Sequence, residues 1–280
     1  MGGRSEIGLI KKSCDGQEEC LYEIGPLVSK ILSQRMVVER VRCAANTNKS
    51  HCGFKLYTTK PFSVSVGVAR AAKKGGIVSG DSFSFMNNEY GKYMIALSDG
   101  MGSGHNAALQ SKATLNMLES FLESGFDKDM AINLINSVLV LRSDGDNTCT
   151  IDISIVDLFS GDVEFVKIGA APTYIKSGTG VDIIRSATLP AGILPGIDTE
   201  LAHRKVENGD MIIMVTDGII DSLADDESGE RELMAFIRQL DSLNPQQVAD
   251  LILSRAKSGC DNKPFDDMTV LVAKVWKKPR

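Results

Sequence analysis

Segments with helical periodicity come in pairs in this chain, and between the pairs stands an unbroken run of strand patterns. Ser103 to Leu122 places Ala107, Ala108, Leu115, Leu118 and Leu122 on one face, and Asp129 to Leu141 follows with Ile132, Leu134, Ile135, Val138 and Leu139. The second pair spans Glu230 to Leu240 and Pro245 to Lys257. Elsewhere after residue 61 the pattern is that of strands. Phe62, Val64, Val66 and Val68 alternate with small residues, and Tyr93 to Leu97 is a short apolar run. Thr150 to Asp157 and Val163 to Ile168 flank the hairpin turn pattern Ser160-Gly161-Asp162. Further strands are expected at Thr173 to Lys176, Val181 to Arg185, Ala202 to Val206, Met211 to Thr216 and Met268 to Val275. Strict alternation of strand and helix would build a parallel sheet; this grouping predicts an α+β fold of antiparallel sheets covered by helices.

Residues 1–60 read differently. Ile24, Leu27, Val28, Ile31, Leu32, Met36 and Val37 fit one helix over Ile24 to Val38, able to pack on the following domain or on a second copy in a homodimer. Cys14, Cys20, Cys43 and Cys52 fall in the same stretch. Their spacings, five residues within the first pair and eight within the second, differ from the close pairs of common zinc sites. They read first as ordinary thiols, with a zinc or cluster site as the second reading, to which His51 adds little. Six cysteines in 280 residues make no disulfide scaffold, so reduced thiols in a cytoplasmic domain are expected. The net charge of -5 lacks the basic surplus of a nucleic-acid module. No run approaches the roughly 18 apolar residues of a membrane span, and the N-terminus has no charged-then-apolar leader.

The chemistry lies in aspartates at strand ends or turns: Asp81 in Ser79-Gly80-Asp81-Ser82, Asp99 in Ser98-Asp99-Gly100, Asp217 in Thr216-Asp217-Gly218, and Asp266-Asp267 before Met268-Thr269-Val270. An isolated Asp-Gly is most often a turn. A buried strand that ends in Ser/Thr-Asp-Gly does more: it delivers the carboxylate to a fixed place, and the glycine lets the backbone turn and its carbonyl approach a ligand. Converging carboxylates repel and stay ionised only around a cation. Oxygen donors select hard cations such as Mg or Mn. Two such ions about 3.5–4 Å apart activate water and orient a phosphoryl group, so phosphate ester hydrolysis is the expected reaction.

Five segments carry a resemblance: Val78 to Ser82, Ala96 to Gly104, Val166 to Pro172, Leu189 to Leu194 and Asp266 to Leu271. In this order they resemble the PP2C-type (PPM) serine/threonine phosphatases, and within them the bacterial sporulation phosphatases, over residues 60 to 276. The resemblance implies an α/β/β/α sandwich of two antiparallel sheets flanked by helices over 61–280, with 1–60 as the end of a regulatory region. It implies two Mn2+ or Mg2+ ions bridged by Asp99, with the Gly100 carbonyl and Asp81 serving one ion or its waters. Asp217 and Asp266 complete the other ion, and the catalytic set is Asp99, Asp217 and Asp266, with water as the nucleophile. It further implies a phosphoserine substrate on a small anti-anti-sigma factor, whose dephosphorylation activates a sporulation sigma factor. The full-length relatives so implied are anchored in the cell membrane and associated with the septum.

The chain departs from that pattern in places. Asp267 stands where many relatives have Asn. Met101 replaces the His that often follows Asp-Gly in eukaryotic members, and Ala170 replaces an Asp of their third metal site. No Arg is evident for phosphate binding; Lys73 and Lys74 are candidates that read first as solvated surface. His105 is expected on the surface of a helix's first turn, Cys149 and Cys260 as buried thiols, and Met211 to Met214 as core. Helix Ser103 to Leu122 begins beside Asp99, and its movement is a candidate gate for metal occupancy. Three rivals remain: a phosphatase-fold scaffold, which has no need of clustered carboxylates; a kinase or nucleotidase, which lacks its Gly-rich phosphate loop here; and a stress-response phosphatase of the same fold with another partner.

Overall fold

A computed structural model describes residues 6–14, 16–33, 35–47, 50–73, 75–88, 90–102, 104–142, 148–178, 180–196, 199–224 and 228–278. The chain divides into two compact units, one of residues 1–61 with 89–91 and one of residues 62–88 and 92–280.

The first unit is built on β1 (Glu6–Lys12), β2 (Met36–Arg42) and β3 (His51–Thr58), an antiparallel sheet in the order β1-β3-β2. A π-helical turn (Cys20–Ile24) runs into α1 (Gly25–Ile31), and a short α2 (Ala44–Thr47) links β2 to β3. The helix expected over Ile24 to Val38 therefore ends early, and the N-terminal segment is a sheet with a short helix rather than a helical segment. Ser33 takes φ +52 just past α1, the left-handed turn that stops helices. Val37 and Val38 then pair with Tyr57 and Leu56; β-branched residues with a strand partner leave the helical period.

The second unit contains β4 (Phe62–Ala71), β5 (Asp81–Asn87), β6 (Lys92–Asp99), α3 (His105–Glu123), α4 (Lys128–Arg142), β7 (Ile151–Asp157), β8 (Asp162–Ile168), β9 (Thr173–Ser177), β10 (Gly180–Ile184), β11 (Glu200–Lys205), β12 (Met211–Val215), α5 (Asp217–Asp221), α6 (Ser228–Gln239), α7 (Pro245–Gly259) and β13 (Met268–Lys277). They form two five-stranded antiparallel sheets, ordered β10-β9-β12-β13-β4 and β11-β8-β7-β6-β5.

Period-two alternation sorts the side chains into three apolar layers. Along β12, Ile212 and Met214 pack between the sheets with Ile95, Leu97, Phe165 and Leu271. Met211, Ile213 and Val215 face the other way, with Leu233 and Ile237 of α6 and Val248 and Ile252 of α7. On the outer face of the second sheet, Met94, Ala96, Ile151 and Ile153 meet Leu115 and Leu118 of α3 and Ile132 and Ile135 of α4. The result is the expected α/β/β/α sandwich. The helix start at Pro245 follows from Asn244, whose Oδ1 accepts the N–H groups of Gln246 at 2.9 Å and Gln247 at 3.3 Å. No helix among the described residues is long and apolar enough to cross a membrane.

Candidate metal centre

β5 and β6 pair so that Asp81 stands directly opposite Asp99. The end of β6 is held from outside: Ser98 Oγ donates to the Thr150 carbonyl at 2.7 Å, and the Asp99 N–H donates to Thr150 Oγ1 at 2.9 Å. Asp81 is 2% exposed. Its Oδ2 accepts the hydroxyls of Thr269 at 2.6 Å and Thr216 at 3.1 Å, both from the other sheet, while its Oδ1 is buried with no partner. A buried carboxylate oxygen without a donor is costly unless something positive or protic meets it.

The electrostatics agree with that geometry. Burial, then the charges of Asp81 and Asp217, push Asp99 up to about 9. Burial also raises Asp81, against the pull of the Thr269 and Thr216 hydroxyls. Asp217 opens α5 at the mouth of the site. The protein packed around it raises it, the Gly218 N–H opposes that, and the Asp266 charge adds to it.

The structure separates the Asp266-Asp267 pair. Asp266 is half-buried, and its Oδ1 accepts the next N–H, at 2.8 Å. Asp267 is buried, and its two oxygens accept the N–H groups of Lys73 at 2.7 Å and Gly80 at 2.6 Å, pinning the loop that leads to Asp81. Both Ser/Thr-Asp-Gly glycines are needed for close approach rather than for a left-handed turn. A Cβ on Gly100 would stand 2.3 Å from the Ala107 carbonyl oxygen, and one on Gly218 2.2 Å from that of Asp267.

A cavity of about 190 Å3 opens beside Asp99, with Thr150, Asp152, Ala170, Thr216 and Asp217 in its wall. Asp152 was not singled out from the sequence. Its Oδ2 binds Lys167 Nζ at 2.5 Å and the Thr173 hydroxyl at 2.7 Å, and both charged side chains are buried. Burial pulls the Lys167 ammonium down and the Asp152 charge holds it up. The available signal was a charge in each of two apolar strands, Ile151-Asp152-Ile153 and Val166-Lys167-Ile168. Thr216 and Thr269 were also missed as partners of Asp81, although both stand inside the motifs.

Among the basic candidates, Lys73 is exposed and contributes its backbone N–H, and Lys74 lies outside the described residues. Arg70 of β4, passed over in the sequence, donates to the Asp81 carbonyl at 3.3 Å and lies 6.0 Å from the Phe83 ring centre. His105 is exposed on the first turn of α3, Cys149 and Cys260 are buried, and Met211 and Met214 are core. Ser111 of α3 reaches the Asp81 loop, donating to the Gly80 carbonyl at 2.5 Å.

Among the described residues, no three His, Cys, Asp or Glu side chains are close enough to hold one ion. The donor set fits a hard divalent cation by its chemistry: oxygen atoms only, one of them a buried carboxylate oxygen without a partner, and mutual repulsion that a cation would relieve.

Residues 89–276 match the family Stage II sporulation protein E (SpoIIE). The chain belongs to the SpoIIE family. It is 37% identical to the Stage II sporulation protein E of Priestia megaterium over 276 residues, 98% of this chain and 46% of that protein, so it spans less than half of that relative's length. A solved structure of the PP2C phosphatase domain and a fragment of the regulatory domain of SpoIIE from Bacillus subtilis aligns with a TM-score of 0.82 and 34% identity, over 98% of this chain and 80% of that one. The phosphoserine phosphatase RsbU of Bacillus subtilis (strain 168) is 22% identical over 85% of this chain and 71% of its own. The fold is thus the PP2C-type fold of SpoIIE, one that implies dependence on a divalent metal.

Proposed function

We propose that this chain is a metal-dependent protein-serine phosphatase that removes phosphate from a phosphoserine on an anti-anti-sigma factor and thereby activates a sporulation sigma factor. The observation that carries the reading is the face-to-face placement of Asp81 and Asp99 beside Asp217, with Asp99 raised by burial and its acidic neighbours. In this reading Asp99 would be the residue shared by two Mn2+ or Mg2+ ions. Asp81 and the Gly100 carbonyl serve one, and Asp217 and Asp266 the other. The ions, when bound, supply Lewis acidity and an activated water.

The chain's own residues do the rest. Thr216 and Thr269 orient Asp81, and Asp267 fixes the loop before it. Arg70 donates to the Asp81 carbonyl and steadies that residue from β4. The Ser111 hydroxyl links α3 to the Asp81 loop, which supports the helix as a gate on metal occupancy; a Ser111→Ala variant with unchanged metal dependence would refute that role.

Residues 1–60 are assigned as the end of a regulatory region and 61–280 as the phosphatase domain, supported by the solved relative that carries a regulatory fragment and aligns over nearly all of this chain. Tyr22, Leu27 and Ile31 are exposed on and beside α1, which supports self-association there. The full-length protein is assigned to the cell membrane with this part on the cytoplasmic side. A stress-response role is the second reading; the higher identity to SpoIIE than to RsbU favours sporulation. The test compares Mn- and Mg-dependent phosphate release from a phosphorylated sporulation anti-anti-sigma factor and from a stress-response antagonist. Release from the first, abolished in Asp99→Asn, supports the reading. Preference for the second moves the chain to the stress-response class, and no metal-dependent release from either overturns it.

A further inference from the structure

All four cysteines of the first unit line one cavity. Cys14 follows β1, Cys20 opens the π-helical turn, Cys43 follows β2 and Cys52 is the second residue of β3. The antiparallel order β1-β3-β2 brings these positions, up to 38 residues apart in the chain, to one end of the sheet. Between them lies a space of about 170 Å3, which Arg40, Arg42, Glu18 and Phe54 also border. Cys20 and Cys52 are buried, Cys14 and Cys43 half-buried, and none forms a disulfide.

The surroundings of Cys14 favour its anionic form. Backbone N–H groups of Glu19, Glu18 and Gly16 are aimed at Cys14 and pull its thiol down, with Lys11 adding to the effect. Lys11 also faces Cys52, and the Arg40 guanidinium contacts Cys20. Two acids share these cations: Glu19 pairs with Lys11, and Glu18 with Arg40 at 2.8 Å. The unit also needs a staple. Its buried apolar cluster is Cys20, Met36, Phe54 and Leu56, with partly buried residues such as Leu9, Ile24 and Val28 packed against it, and a sheet this small commonly relies on metal or disulfides.

We propose that Cys14, Cys20, Cys43 and Cys52 ligate a thiolate-bound metal centre of the iron–sulfur cluster class. The space between the thiols decides the class. Four thiolates held about 2.3 Å from one zinc would have to close in on that space, whereas a cluster spans it. Among the described residues no three such groups are close enough for a single ion, whereas a cluster occupies the volume itself and takes backbone N–H bonds to its sulfurs. Binding exchanges four thiol protons for four iron–sulfur bonds, and a preassembled cluster passed in by ligand exchange consumes no oxidant.

The test is metal and sulfide analysis of the full chain purified anaerobically, with visible absorption. Equal amounts of iron and acid-labile sulfide are expected, lost by at least about tenfold in Cys14→Ser and in Cys43→Ser and retained in Cys260→Ala. One equivalent of zinc without iron would overturn the cluster class, and metal-free protein would overturn the site altogether. Alkylation of folded wild type covers the case of a misfolded variant. Cys14 and Cys43 should resist labelling until a chelator strips the metal; labelling that needs a reductant instead identifies disulfides and overturns the proposal.

Discussion

The two five-stranded sheets of the second unit deliver their carboxylates in different ways. β5 and β6 bring Asp81 and Asp99 face to face, and the hydroxyls of Thr216 and Thr269, across the sandwich, fix Asp81. β12 and β13 bring Asp217 and Asp266 to the mouth of the site, where each accepts the N–H of the residue that follows it, at 2.7 and 2.8 Å. Asp81 is positioned by contacts between sheets and Asp99 by Thr150 beside the neighbouring strand β7, whereas Asp217 and Asp266 are positioned by their own turns. Geometry held across a packed core is stiff and costly to disturb, whereas a local turn adapts to its ligand.

The largest expected effect is on the stiff side. Asp99→Asn should reduce metal-dependent phosphate release on the order of 1000-fold, the several kcal/mol such a centre supplies. Asp217→Asn should lose less, about 100-fold, and recover in part at high Mn. Equal losses that no metal concentration rescues would erase the distinction. Next, Thr269→Val keeps the shape and removes the hydroxyl that orients Asp81, so a metal titration should show affinity about 10–100-fold weaker. Unchanged affinity would mean that the inter-sheet bond does not set the ligand.

Asp267→Ala removes the carboxylate acceptors of the Lys73 and Gly80 N–H groups and should cost about 1–3 kcal/mol in denaturant unfolding. A loss of metal affinity as large as that of Asp266→Ala would instead make Asp267 a ligand. The last expected effect is in pH dependence. Asp99 goes from 3.8 to about 9 on folding, and Asp81 and Asp217 are raised too. The folded state therefore binds these protons more tightly. The contribution of Asp99 to stability is complete below pH 3.8 and is lost as pH rises through 9. Chelator-treated protein should lose thermal stability across that range, and excess Mg should flatten the trend; a metal-free profile that rises with pH would contradict the burial of Asp99.

The same contrast explains what could be read in advance. The sandwich followed from the grouping of helical and strand periods, because each apolar layer imposes its period on the local sequence. Asp99 and Asp217 were visible because a strand and the turn that ends it are adjacent in the chain. The helix over Ile24 to Val38 was misread because β3 claims Met36 to Val38 for the sheet, and that partner lies beyond the window of a period. β5 escaped notice because it is an edge strand, with Phe85 half in solvent and serines between its aromatics.

By itself, then, the order of residues determined the layers, the strand ends and the acidic residues placed on them. Only the tertiary structure decided which groups each acid meets. The bonds from Thr216 and Thr269 to Asp81 close 135 and 188 residues of chain. Those from Asp267 that tie down the loop close 194 and 187. The meeting of four cysteines at one end of the small sheet depends in the same way on strand order. Contacts at such separation form only when the core has packed, since the apolar burial that drives packing offsets the loop entropy they require.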